Sequence, residues 1–501
     1  MIKRKATVIF IALFCGLFLL PSCRKSATTN NDSAALSELK VEPIDFDFDQ
    51  IKERGTLTAV VDNSSTGYFI YRGQPMGYEY DLLSRMASDL GLSLKIKLTS
   101  DIEEAFFMLN TGKADVMAYH LTVTKERTQR VSFTDSHTEV RQVLIQRKPK
   151  DWRKMKLHDI EESMIRNPLN LGGKEVHTRK GSSFSERLEH LSDEIGEDII
   201  ILEDVGIMDT EALIKKVAEG EIDYTIADED IAMINATYYP DLDVETAISF
   251  PQKIAWAVRK NAPILKDTID YWLNEVKATP DFNVIYNRYF KYRKSQNLRA
   301  QSDFSSVGGT MISPYDELFK SAAENLSVDW VMLASLAYQE SKFDPLVESW
   351  AGAKGLLQLT DISIEQFNVQ DPFNPVENIE AGTEFLEWLE GYWAEKVTDP
   401  KERLKFILGS YNVGQGHVMD AVKLAKKYGR NPEVWDGNVA DYLIAKSTEK
   451  YYTDPVVQFG YCRGDEPVNY VKKILERYDQ YKTLFAKNLE EQSDSTLVTS
   501  R

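Results

Sequence analysis

The sequence predicts a multi-domain chain, with a two-lobed α/β domain followed by a mostly α-helical one. Three observations carry this expectation. The chain has 501 residues, and a single hydrophobic core rarely grows beyond ~250–300 residues. The stretch from about 50 to 294 runs through a β-α-β rhythm twice, as an α/β lobe would. After a polar break at Ser295 to Thr310, strand-like runs become scarce and helical spacing takes over. A composition of 43% hydrophobic and 28% charged residues excludes an intrinsically disordered chain.

In the first lobe, Thr56 to Val61 is a β-branched run read as a strand. Leu82, Leu83, Met86, Ala87 and Leu90 recur at helical spacing over Tyr80 to Leu90. Leu92 to Leu98 alternates as a strand, Ile102 to Leu109 is helical, and Asp115 to Ala118 is a strand. The rhythm resumes with a strand beginning at Val176, a helix over Ser185 to Leu191 and a strand over Ile199 to Leu202. A helix over Thr210 to Ala218 and a strand over Tyr224 to Ala227 follow. Two such lobes joined by crossing segments imply a cleft, the usual place for a ligand. In the second domain, Leu318 to Leu326, Val331 to Tyr338, Ile379 to Trp388 and Leu404 to Leu408 are helical. So are Val418 to Lys427, Val439 to Ala445 and Tyr470 to Phe485. Trp350, Trp388, Tyr392, Trp393, Tyr411 and Tyr461 lie near its loops, where rings pack or line a sugar-binding groove.

The start of the chain indicates a compartment. Lys3, Arg4 and Lys5 precede an apolar run from Ile9 to Leu20, the length of a signal-peptide core and short for a membrane span. Leu20-Pro21-Ser22-Cys23 then looks like a bacterial lipobox, in which the thiol of Cys23 receives lipid. The expected layout is a lipoprotein signal peptide at 1–22, a tether at 23–43 and the α/β domain at 44–294. A linker at 295–310, the helical domain at 311–489 and a polar tail at 490–501 complete it. This places the mature chain in the bacterial envelope, facing the periplasm from the outer membrane. The net charge of -18 argues against a nucleic-acid partner. With Cys15 removed and Cys23 lipidated, Cys462 is alone, so no internal disulfide forms. The six histidines show no HExxH or similar spacing, and neither a metal nor a cofactor is expected.

Four motifs span the first domain. They are GTLTAVVDNSSTGYFIYRGQPMGYEYDLLSRMASDLGLSLKI from Gly55, then Gly112-Lys113-Ala114-Asp115-Val116 with LTVTKERTQRVSFTD at 121–135, LGGKEVHTRKGSS at 171–183, and GEIDYTIADED at 220–230. Together they resemble the periplasmic solute-binding proteins that serve polar amino-acid uptake. The resemblance implies that Arg127 holds a ligand carboxylate, as its planar fork suits, and that Asp228 receives an amine. Tyr119, His120 and Thr122 fall where the family has small hydroxyl residues, and Ser183 falls on the hydroxyl position of the second lobe. Bulky Tyr119 and His120 would reshape an amino-acid pocket toward a muropeptide or stem peptide.

The second domain carries an ordered series: Glu340-Ser341, then Gly352-Ala353-Lys354-Gly355-Leu356-Leu357-Gln358-Leu359-Thr360, Asn378-Ile379-Glu380-Ala381-Gly382, and Ser410-Tyr411-Asn412-Val413-Gly414-Gln415-Gly416-His417. Any one of these occurs by chance; all four in order resemble the lysozyme-like catalytic domain of soluble-type lytic transglycosylases. The stretch Tyr461 to Val471 extends the match. With the lipobox and the domain order, the chain resembles the membrane-bound lytic murein transglycosylase F group over nearly its full mature length. Glu340 also stands on local physics. It lies three or four residues beyond Leu336 and Ala337, on the face of an apolar stripe, where lost hydration raises a carboxyl pKa.

The resemblance implies a peptidoglycan lytic exotransglycosylase in which one glutamate does both steps. Glu340 protonates the oxygen between N-acetylmuramic acid and N-acetylglucosamine, then takes the proton of the muramoyl 6-hydroxyl as the 1,6-anhydro ring closes. No water is consumed. Ser341, Gln358, Tyr411 and Asn412 are the implied supporting residues. Asp344, Glu348 and Asp361 are read as loop or surface groups. Two alternatives stand beside this: a non-enzymatic envelope sensor, or a hydrolytic muramidase.

Overall fold

The computed structural model describes residues 41–204, 210–300, 302–307, 309–324 and 326–498. The expected signal peptide, Cys23 and the tether up to residue 40 lie outside the described residues. In chain order the strands are β1 (Thr56–Val61), β2 (Phe69–Tyr71), β3 (Gln74–Met76), β4 (Ser93–Leu98), β5 (Val116–Met117), β6 (Ser132–Phe133) and β7 (Thr138–Val140). They continue with β8 (Gln142–Arg147), β9 (Glu175–Arg179), β10 (Ile200–Asp204), β11 (Thr225–Asp228), β12 (Leu242–Asp243), β13 (Gln252–Ile254) and β14 (Ala257–Val258).

Two five-stranded sheets build the two lobes, ordered β4-β1-β5-β14-β6 and β10-β9-β11-β8-β12. In the first, β1 runs parallel to β4 and β5, while β14 lies between β5 and β6, antiparallel to both. In the second, β9 runs parallel to β10, and β8 is antiparallel to β11 and β12. The chain leaves the first lobe through β7 and returns through β13, and these two strands pair antiparallel as a two-stranded ribbon between the lobes. The strands expected from alternation and β-branching appear within a residue or two of their predicted places. The returning strand β14 was not legible, because Ala257–Val258 is only two residues long.

The second domain is helical, as expected. The Trp330–Ser341 helix is its axis: Val331 through Tyr338 are all buried, the pattern of a helix surrounded by others. Asp329 caps it, its carboxylate accepting from the Met332 amide at 3.2 Å. It ends at Lys342, whose φ of 52° is left-handed, so Glu340 lies in the last turn. Flanking helices include Pro375–Ala394, Pro400–Val413 and Asp465–Val498. The last continues to Val498, into the stretch expected as a polar tail.

The stretch read as a linker is packed. Arg293–Ala300 is helical, and Gln296, Arg299 and Ser305 are buried. Polarity suggested a loose segment; here the polar groups are satisfied by the first domain. The Arg72 amide donates to the Phe304 carbonyl at 2.8 Å, and the Ser306 amide to the Ile70 carbonyl at 2.9 Å. One hydrophobic cluster contains residues of both domains, Ile70 and Tyr289 among them with Leu333 and Tyr481. Among the described residues, no helix is long and apolar enough to cross a membrane, and no group of side chains could hold a metal ion.

Candidate active site

Glu340 is set where the apolar stripe of its helix meets the C-terminal helix. Burial pushes its carboxyl up to about 7, against a hydrogen bond from Tyr470 that favours the ionised form. The Tyr470 hydroxyl donates to Glu340 Oε1. Burial, then the charge of Glu340, hold the Tyr411 phenol well above its ordinary value, so Tyr411 stays neutral within electrostatic range of the same carboxylate. Among the described residues, no other carboxylate is among the groups that shift the Glu340 carboxyl. Asp344 caps the Leu346 amide at 2.9 Å, Asp361 pairs with Lys354 at 2.9 Å, and Glu348 is exposed. A lone carboxyl held near neutrality suits proton donation followed by proton removal.

The glycine-rich loop after the helix is fixed by Asn378, which is fully buried. Its side-chain oxygen accepts from the Leu357 amide at 2.7 Å, and its amide group donates to the Lys354 and Pro372 carbonyls at 3.0 and 2.7 Å. Gly355 lies against this knot with φ +77°. The Tyr411 hydroxyl donates to the Leu357 carbonyl at 2.8 Å. Of the other expected supporting residues, Ser341 is buried and bonds back to the Ala337 carbonyl at 3.1 Å. The Gln358 amide group donates to the Val347 and Gly355 carbonyls at 3.1 and 2.9 Å, holding its own loop. Asn412 is exposed. The structure thus brings Glu340, Tyr411 and Tyr470 together. Tyr470 was legible as the start of a helical pattern and as part of the Tyr461 to Val471 stretch of the resemblance, but nothing in spacing shows that a residue 130 positions away meets Glu340.

In the first domain, Asp62, Ser64, Tyr119, His120, Thr122, Arg127, Arg179, Ser183, Glu211 and Asp228 line one cavity of about 50 Å³ between the lobes. Ordinary ligand pockets are ~300–1,000 Å³, so the lobes are closed on each other. Side chains span the gap. Arg127 donates to the Thr122 carbonyl of one lobe at 2.9 Å and the Gly181 carbonyl of the other at 3.0 Å. Arg179 donates to the Ser100 carbonyl at 2.5 Å, and Ser65 bonds Glu211 through both its amide and its hydroxyl. Ser183 accepts from Gln142 at 3.1 Å. Tyr119 donates to the Thr99 carbonyl at 2.5 Å. His120 lies 3.1 Å from Asp230 and 3.6 Å from Glu79; burial opposes its charge, but Asp230, Glu79 and Asp228 hold its pKa well above the ordinary value. Burial raises Asp228 to about 7, and its Oδ1 has no hydrogen-bond partner.

A two-lobed α/β fold is joined to a helical domain whose Glu340 carboxyl is raised to about 7 by burial, an arrangement suited to a modular glycan-cleaving enzyme. Both domains match family models. The model of bacterial extracellular solute-binding proteins, family 3, matches residues 56–292, and that of the transglycosylase SLT domain matches residues 317–434. Membrane-bound lytic murein transglycosylase F of Desulfosudis oleivorans is 36% identical over 434 residues, covering 86% of this chain and 91% of that protein. The protein of the same name from Pseudomonas fluorescens is 30% identical over 433 residues, covering 86% and 85%. An ancestral arginine-binding protein bound to arginine is 24% identical, with a TM-score of 0.40, covering 47% of this chain and 99% of that one. The chain belongs to the membrane-bound lytic murein transglycosylase F family.

Proposed function

We propose that this lytic transglycosylase cuts peptidoglycan between N-acetylmuramic acid and N-acetylglucosamine, with Glu340 as its only acid and base. The observation that carries the reading is the half-buried Glu340 carboxyl at the end of its apolar helix, bonded by the Tyr470 hydroxyl and raised to about 7 by burial. Protonated Glu340 gives its proton to the glycosidic oxygen as the bond to the muramoyl anomeric carbon breaks. The muramoyl 6-hydroxyl then bonds to that carbon and returns a proton to Glu340. A two-carboxylate hydrolase would need a partner some 5–10 Å away. Mass spectrometry of sacculi digested by the full-length protein tests this. Products lighter by one water than hydrolytic muropeptides support it, and reducing ends alone overturn it in favour of a muramidase.

We propose also that the first domain senses a fragment of the same polymer. A transport receptor must deliver its ligand to a membrane partner, which a fused enzyme would hinder. Asp228, whose Oδ1 has no hydrogen-bond partner, and the guanidinium groups of Arg127 and Arg179 suit a ligand with an amine and carboxylates, as a stem peptide has. The 50 Å³ cavity requires the lobes to part for entry. Stem peptides titrated calorimetrically into the full-length chain should bind, about tenfold or more weakly in Arg127→Ala, since hydrogen bonds to charged groups are worth ~1.5–3 kcal/mol. Tight binding of a free amino acid, with no peptide binding, would rule this out. Lipid on Cys23, holding the chain to the periplasmic face of the outer membrane, completes the proposed placement.

A further inference from the structure

The first domain touches the catalytic helix at one tip. Strands β2 and β3 are joined by Arg72 and Gly73, with φ values of 50° and 76°. Two left-handed central residues make a type I′ hairpin, which favours glycine at its second position. The tip enters the second domain. A Cβ on Gly73 would fall 2.4 Å from Phe343 Cε2, 2.7 Å from Tyr338 Cδ2 and 3.0 Å from the Tyr481 hydroxyl, so only a glycine leaves the three rings where they are. The Tyr481 hydroxyl donates to the Gly73 carbonyl at 2.9 Å.

These contacts bracket Glu340. Tyr338 precedes it by two residues and Phe343 follows by three. The two rings meet edge to face at 5.6 Å. Between them Lys342 and Phe343 both take left-handed backbone conformations, with φ of 52° and 64°, which L side chains adopt only when surrounding structure holds them. The C-terminal helix repeats the bracket. Tyr470, Arg477 and Tyr481 are spaced i, i+7, i+11 and so share one face. Tyr470 bonds Glu340, Arg477 lies 4.4 Å over the Tyr338 ring and donates to Gln339 at 3.2 Å, and Tyr481 bonds Gly73. The hairpin is itself held from behind by the pairing of Arg72 and Ile70 with residues 304–306.

We propose that Gly73 and Tyr481 are positioning residues for Glu340. The hairpin tip of the first domain wedges Tyr338 and Phe343 and anchors the C-terminal helix, and so sets where the Glu340 carboxyl lies against Tyr470 and Tyr411. The inference rests on Glu340 being the acid and base. Neither residue touches substrate; both act through the backbone that flanks Glu340 and the helix that carries its phenol partner.

The test uses full-length Gly73→Ala and Tyr481→Phe on soluble glycan strands, with wild type and Glu340→Gln assayed alongside. Misplacing a catalytic group by ~1 Å can cost about 10²-fold. Gly73→Ala should lower kcat by tenfold or more with KM within about twofold, and shift the basic limb of the kcat–pH profile, because a displaced carboxyl is hydrated differently. Tyr481→Phe, which keeps the ring and loses one hydrogen bond, should shift the same limb in the same direction with a smaller fall in kcat. A folded Gly73→Ala with unchanged kcat and pH profile overturns the proposal. So does a fall in kcat that tracks melting temperature while the profile stays put, since that marks a purely structural contact. If Gly73→Ala does not fold, Tyr481→Phe decides: an unmoved profile overturns the proposal. Activity retained by Glu340→Gln would instead refute the role given to Glu340.

Discussion

Glu340→Gln is expected to lower release of anhydromuropeptides by on the order of 10³-fold, within the range that general acid and base catalysis supplies, while the chain stays folded. Glutamine keeps the shape and can still accept from Tyr470, but it has no proton to give the leaving oxygen. The pH dependence has a definite sign. With its pKa raised to about 7, wild-type Glu340 holds its proton below neutrality and loses it above, so bond cleavage by wild type should fall through a basic limb near pH 7. Stability follows the same linkage. The folded state binds the Glu340 proton more tightly than the unfolded chain, so wild type loses stability as pH rises from the ordinary glutamate value through about 7. Above that window the desolvated charge costs on the order of 3 kcal/mol, a cost the glutamine variant lacks. Its melting temperature at pH 8 should therefore equal or exceed that of wild type. Muropeptide mass spectrometry and thermal melts at pH 5 and 8 check both parts. Near-wild-type release by the folded variant would show that Glu340 is not the acid.

Gly355→Ala should damage both activity and stability. A Cβ there would sit 2.2 Å from the Pro372 carbonyl and 2.3 Å from the Asn378 amide nitrogen, on a backbone with φ +77°. Backbone and a fully buried side chain cannot swing aside as a flexible surface chain would. Left-handed strain and overpacking each cost ~1–3 kcal/mol, so a loss of about 2–4 kcal/mol is expected, read as a drop of several degrees in melting temperature. The Asn378 knot fixes the Leu357 amide, and Tyr411 is tied to the Leu357 carbonyl. Displacing the loop therefore moves a phenol within electrostatic range of Glu340, and kcat should fall about 10²-fold. By contrast, Gly352 also has a left-handed φ of +82° but no atom within 4 Å of its would-be Cβ. Gly352→Ala should thus show the backbone strain alone, with a much smaller loss of activity. Equal effects at the two positions would contradict this account of the loop.

How far the sequence reaches differs between the two domains. Apolar residues at 331, 333, 336 and 337 place Glu340 on the buried side of its helix, because helical periodicity is a local property of the chain. The same reasoning locates β1, β4, β9 and β11, whose β-branched runs are long enough to read. It stops at β14, and at the stretch 295–310, where polar composition suggests a loose linker. There Gln296 and Ser305 are buried because hydrogen-bond partners from elsewhere in the fold reach them: the Tyr289 carbonyl for Gln296, and a bridge to Tyr71 for Ser305.

Motif residues separate in the same way. Spacing and residue type single out Gln358, Ser341 and Tyr411, yet chemistry alone assigns each of them several roles. Folding decides among these by distance: Ser341 turns back onto Ala337, Gln358 ties its own loop, and Tyr411 bonds the Leu357 carbonyl. In the cleft, the sequence supplies Arg127 and Asp228 but not the closure that engages Arg127 with backbone carbonyls of both lobes. By itself the sequence determined the two-lobed α/β and helical architecture, the place of Glu340 on the inner face of its helix and the cations and acids of the cleft, since each follows from periodicity or side-chain chemistry within a short window. Only the tertiary structure decided that Tyr470 meets Glu340, that Gly73 wedges Tyr338 and Phe343, and that the cleft is closed. Those contacts join residues tens to hundreds of positions apart, and what brings them together is burial against a shared core rather than any local preference of the chain.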